Sequence, residues 1–181
     1  MIDSSPIKLL KKICIHWTAG GYDPNDIDRY HYHYTVSAMG NVAGGKFLPE
    51  ANIPPLRNGH YAQHCGGGNS WTIGVALCGM AGYTLPSKPG KYPLTAVQCE
   101  AAWELVAKLC KENAIPVTAE TVFTHYEFGK KNPQSDSAGK IDITYLPYKP
   151  ELLASEVGDY IRGKVRWYLA NLNNTTPKGK V

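Results

Sequence analysis

The chain has 181 residues, 43% of them hydrophobic, and a formal net charge of +4 at pH 7. That length suits one domain of roughly 100–200 residues, enough to bury about 70% of its unfolded surface without covalent staples. The mild charge comes with no lysine or arginine run, so nucleic acid is excluded as a partner, and no apolar run approaches the ~20 residues of a membrane span, so no stable membrane insertion is expected.

The opening "MIDSSPIKLLKK" lacks the apolar core of a secretion signal, so the chain is expected to be cytoplasmic when synthesised. Ile13, Cys14 and Ile15 then read as a short buried strand. It ends in His16 and breaks at once into Thr18, Ala19, Gly20 and Gly21. In "YDPNDIDRYHYHYTVS", Asp23 is the expected N-cap and Pro24 the first helical position, with a helix to about Tyr30 or His31. Tyr32 to Ser37 alternates and reads as a strand, which "AMGNVAGG" turns into a hairpin. Alternation sets His31 and His33 opposite Tyr32, as surface or packing residues.

From Phe47 to Gly68 the chain is rich in Pro, Gly, Asn and His, a loop long enough to suggest function. "WTIGVALCGM" reads as a central strand. Thr95 to Asn113 is the clearest helix: Thr95 and Gln98 make a capping box, and Val97, Ala101, Leu105 and Leu109, with Ala102 and Val106 beside them, are expected to face the core. "ETVFTHYEF" is another short strand ending in a histidine, His125. "GKKNPQSDSAGKIDITYLPY" is irregular, Leu152 to Leu169 is a helix weakened by Gly158 and Gly163, and the polar end reads as a tail. The predicted fold class is therefore α/β, a mixed central β-sheet flanked by helices in a single domain. The five cysteines, Cys14, Cys65, Cys78, Cys99 and Cys110, form no C-x-x-C pair. They read as small hydrophobes in a reducing compartment rather than as a disulfide framework.

Two strand-end histidines, His16 and His125, suit the start of a zinc site with three protein ligands and one open position. Asp142 in "SAGKIDI" is a candidate third ligand. In an extended segment Lys140 would face the same way, and its ammonium could steady an oxyanion. From the residues alone, core histidines hydrogen-bonded to backbone are the plainer reading, and the zinc site is the alternative.

Four blocks come in order from Ile13 to Asp142: "ICIHWTAG", "YHYTVSAMGNV", "HCGGGNSWTIGVALCG", and "FTHYE" with "GKID". They resemble the successive motifs of the zinc-dependent N-acetylmuramoyl-L-alanine amidases, the amidase type 2 family, whose fold phage amidase-type lysozymes and peptidoglycan recognition proteins share. The resemblance implies a catalytic domain over residues 1–170 with a flexible tail over 171–181. It implies one Zn2+ per chain, held by His16, His125 and Asp142. Lys140 matches the lysine that stabilises the oxyanion, and Tyr32 matches a tyrosine that assists at the metal. His64 and Asn69 match groove-lining, substrate-binding positions, and Thr18 follows the first ligand where a small or hydroxyl residue is usual. The implied partners are peptidoglycan and muropeptides, and the implied reaction is hydrolysis of the amide between N-acetylmuramic acid and L-alanine.

Two departures from the pattern stand out. Recycling-type members carry a glutamate in the "IGVxL" strand, where this chain has Ala76. The spacing between His125 and Asp142 also leaves Asp136 as a rival third ligand. The favoured setting is an endolysin that reaches the cell wall after release. A secreted effector acting in a host cytoplasm shares the same chemistry, and a non-catalytic peptidoglycan binder of the same fold is the alternative from another class.

Overall fold

The computed structural model describes residues 9–172. Five strands form one mixed sheet: β1 (Lys12–Trp17), β2 (Tyr34–Val36), β3 (Val42–Gly44), β4 (Thr72–Leu77) and β5 (Val122–Thr124). Their spatial order is β3-β2-β4-β1-β5. The β2–β3 hairpin is antiparallel, and β1 pairs in parallel with β4 and β5. Four helices flank the sheet: α1 (Asp26–His31), α2 (Ala96–Asn113), α3 (His125–Lys131) and α4 (Val157–Asn171). The mixed α/β sheet is as the sequence predicts. The expected tail lies, from residue 173 onward, outside the described residues.

Both central strands are buried on both faces, and the period of two divides their side chains between two jobs. Ile13, Ile15 and Trp17 of β1 join Ile73, Val75 and Leu77 of β4 in the main core, together with Trp103 and Val106 of α2 and Ile161 and Val165 of α4. Cys14 and His16 therefore point to the opposite face. In the parallel register Cys14 lies beside Gly74, and His16 beside Ala76. The sheet thus keeps one face for packing and the other for the polar site.

Several element boundaries differ from the sequence reading. The N-cap of α1 is Asn25, not Asp23; its side chain accepts from the Asp28 N–H while Asp28 reaches back to the Asn25 N–H. Helix α2 has the predicted cap on Thr95 and Gln98, but its buried stripe runs through Cys99, Ala102, Trp103, Val106 and Cys110, and Val97 is 62% exposed. The large indole of Trp103 and the buried amide of Gln98 set that face. The Gln98 amide donates to the carbonyls of Val36 and Cys78, tying α2 to the ends of two strands. Helix α4 starts at Val157 rather than Leu152, because the preceding turn closes on itself with the Glu156 carboxylate accepting from the Leu153 N–H. The long loop after β3 is pinned at Asn52. This wholly buried amide donates to the Ala62 and Asn69 carbonyls and accepts from the Ala62 N–H.

Candidate active site

His16 leaves β1 on the polar face and is fully buried. His125 is not the end of a strand but the first residue of α3, capped by the Thr124 hydroxyl. Asp142 arrives from the irregular segment before α4. Their facing atoms form a tight triangle: His16 Nδ1 to His125 Nδ1 is 3.1 Å, and Asp142 Oδ2 is 3.1 Å and 3.0 Å from the two nitrogens.

The segment carrying Asp142 is a turn and not the extended stretch expected from "KIDI". The Thr144 hydroxyl donates to the Ile141 carbonyl, and Ile143 takes φ 61°, a conformation β-branched residues rarely adopt. The Ile143 side chain is buried in the main core, which offsets that strain and holds Asp142 against the histidines. Lys140 still reaches the same cavity. Asp136 is exposed and does not join the cluster.

Two corners of the triangle, His125 and Asp142, line a cavity of about 340 Å³ together with Tyr32, Thr18, His64 and Lys140 among others, and the fully buried His16 lies behind them. The Tyr32 ring centroid lies 5.1 Å from that of His16. Burial, then the nearby Asp142 charge, pushes the Tyr32 phenol far above its usual range, so it stays protonated. Thr18 lines the cavity, but its hydroxyl oxygen accepts from the Gly20 and Gly79 N–H groups and so clamps the turn after β1. Asn69 is not among the residues that line the cavity; its side-chain oxygen accepts from the His64 and Cys65 N–H groups and shapes the turn that carries His64.

His31 and Gln63 also line the cavity, which sequence reasoning missed. His31 Nδ1 donates to the Gln63 carbonyl at 2.9 Å, so α1 and the long loop are tied together across the rim. Ala76 faces the site beside His16 and brings only a methyl group.

Burial dominates the titration of the imidazoles. It lowers His16 to about 4, with the His125 charge acting in the same direction, so His16 is a neutral, ligating imidazole at pH 7. Burial also works against a charged Asp142, but His125 and His16 at its oxygen outweigh it and hold the carboxyl well below the usual range. The cluster therefore offers one anionic oxygen and two imidazole nitrogens within about 3 Å of one another, and that donor set suits a divalent cation such as zinc. Without a cation, a proton must sit among these atoms, so metal uptake releases one. A second group with ligating atoms in range is Cys14, His16 and His64. Burial raises the Cys14 thiol well above its ordinary value, which keeps it protonated and makes that group the poorer ligand set.

His33 is buried and locked: its Nδ1 accepts from the Gly74 N–H and its Nε2 donates to Asn52. Burial lowers it from 6.5 to about 4. As pH falls, the unfolded chain takes this proton first. Stability is therefore full above pH 6.5 and falls as pH drops towards 4. We expect His33 alone to cost about 3 kcal/mol across that window, at 1.36 kcal/mol per unit. Urea midpoints of metal-free protein at pH 7.5 and 4.5 check this, and His33→Gln should flatten the dependence.

Residues 5–140 match the N-acetylmuramoyl-L-alanine amidase family. Among solved structures, the Staphylococcus aureus hydrolase AmiA in complex with its ligand has a TM-score of 0.55 at 16% identity, over 94% of this chain and 78% of that one. The endolysin N-acetylmuramoyl-L-alanine amidase LysCS from Clostridium intestinale has a TM-score of 0.52 at 14% identity, over 90% of each chain. PlyL has a TM-score of 0.52 at 19% identity, over 88% of this chain and 85% of that one. No curated protein matches the chain. The fold is thus one that wall-hydrolase structures share. The chain belongs to the N-acetylmuramoyl-L-alanine amidase family and is a peptidoglycan amidase.

Proposed function

We propose that this amidase uses a single zinc ion, held by His16, His125 and Asp142, to cut the bond between the lactyl group of N-acetylmuramic acid and L-alanine. One observation carries the reading: the two Nδ1 atoms and Asp142 Oδ2 meet at 3.0–3.1 Å, and His125 and Asp142 line an open cavity. When bound, zinc supplies Lewis acidity, acidifying water and polarising a carbonyl. The chain's own side chains do the rest. Lys140 brings an ammonium to the cavity wall, where it balances the charge that develops on the former carbonyl oxygen. Tyr32 keeps its proton and serves as a hydrogen-bond donor beside His16. Position 76 brings no carboxylate to act as base, so orienting the water falls to the Tyr32 hydroxyl.

The setting we propose is cell-wall lysis as an endolysin. The Clostridium intestinale protein of the same fold is one, and it matches over 90% of both chains. The test is digestion of purified peptidoglycan with mass spectrometry of the products. Stem peptides with a free L-alanine amine are expected. We also expect Lys140→Ala to lower kcat by roughly 10²–10³-fold, the usual loss for one oxyanion donor, with zinc content unchanged. Intact wall after incubation with zinc-loaded protein contradicts the reading.

A further inference from the structure

Each candidate histidine ligand has a second ring nitrogen, and the structure shows where it goes. His16 Nε2 lies 3.1 Å from His64 Nδ1, and His64 Nε2 lies 3.2 Å from the Thr72 carbonyl. A carbonyl oxygen only accepts, so His64 Nε2 is the donor. His64 is buried with its two ring nitrogens on a carbonyl and on another imidazole, so its neutral form, with Nε2 donating, leaves Nδ1 as the acceptor. His16 must then donate from Nε2. The same logic holds for the other ligand. His125 Nε2 lies 2.9 Å from the Ser137 hydroxyl, and that hydroxyl donates to the Gly66 carbonyl at 2.8 Å. Its one proton is spent there, so it accepts from His125 Nε2–H.

We infer that His64 and Ser137 are positioning residues that hold a proton on Nε2 of His16 and of His125, so that the Nδ1 atom of each ring is the one turned to the metal site. This rests on the zinc site proposed above. Both relays end on main-chain carbonyls of one segment, residues 66–72, so a single loop orients both ligands. Gly74 is part of the device. A Cβ there would lie 2.6 Å from the His64 ring, so only glycine lets that ring lie against β4. The relay also assigns the ion to one of the two possible groups, because His16 Nε2, which faces Cys14 and His64, is already a donor. Such outer partners hold ring orientation and ligand basicity, and losing one costs roughly 10–100-fold in metal affinity.

The first test uses the unaltered protein. Nitrogen-15 NMR of the imidazoles should find a proton on Nε2 of His16, His64 and His125, both metal-free and zinc-loaded. A bare Nε2 on either ligand overturns the inference. The second test is zinc affinity by competition with a chromophoric chelator. Ser137→Ala and His64→Leu should each weaken zinc by roughly 10–100-fold. Ser137→Thr and His64→Asn, which keep an acceptor at the same place, should stay within a few fold of the parent. Equal affinity in all variants overturns the relays while leaving the zinc site intact. A parent protein that binds no zinc overturns the site itself, and the relays with it. Ring protonation states need no variant to fold, so the inference is tested even if Ser137→Ala unfolds.

Discussion

Asp142→Ala should lose its zinc and its activity while keeping its fold. Asp142 Oδ2 is the one anionic atom in the triangle, 3.0 Å and 3.1 Å from the two imidazole nitrogens. Removing it leaves two neutral nitrogens, short of the three protein ligands that catalytic zinc takes. The carboxylate is mostly buried, and the two imidazoles meet its charge. Its loss removes an ionised group that the surrounding protein solvates poorly. We therefore expect bound zinc to fall from about one per chain to near zero. Turnover of peptidoglycan should fall by at least 10³-fold, and thermal stability in chelator should change little. Elemental analysis, product mass spectrometry and calorimetry check the three parts. An Asp142→Ala protein that holds zinc as the parent does would remove Asp142 from the site.

The second large effect is structural. Arg162 of α4 is buried, and its guanidinium makes a fork with Glu127, at 3.0 Å to Oε2 and 2.9 Å to Oε1. It also donates to the Val122 carbonyl at the end of β5 and to Asp159. Glu127 in turn accepts from the Thr124 N–H in the capping box that starts α3. Helix α4 thus holds the turn from which His125 projects. Arg162→Leu strands a mostly buried carboxylate, a change that costs 3–5 kcal/mol by the usual scale of broken buried pairs, or about 10 °C in Tm for a chain of this size. Pairing it with Glu127→Gln should recover part of the loss. Arg166→Leu, whose residue is exposed and donates to the Val117 carbonyl, should stay within about 0.5 kcal/mol of the parent. Differential scanning calorimetry of the three variants decides it, and an Arg162→Leu protein as stable as the parent contradicts the role.

The parts of this molecule legible in its sequence are those set by neighbours along the chain. The Thr95–Gln98 cap of α2 and the β2–β3 hairpin are local patterns, and both are present, whereas β1 runs one residue past His16 to Trp17. His16 and His125 stood out because each closes an apolar run that reads as a strand; in the fold His16 lies inside β1 and His125 begins α3. What sequence reasoning missed depends on distant contacts. The α2 face holds at Ala102, Val106 and Leu109 but not at Val97, because Val97 and Cys99 look equally apolar until Trp103 chooses a side. His31 enters the cavity only through its bond to a carbonyl 32 residues away. The relay from His125 ends at Gly66, 71 residues before Ser137, so no spacing rule could signal it. Family resemblance carried the choice of Asp142 over Asp136, and the exposed position of Asp136 agrees with that choice.

The central claim is the placement of one metal ion, and an anomalous-scattering map at the zinc edge from crystals of zinc-loaded protein tests it most directly. The account predicts a single peak bonded to His16 Nδ1, His125 Nδ1 and Asp142 Oδ2. A peak between Cys14, His16 Nε2 and His64, or no peak at all, contradicts it.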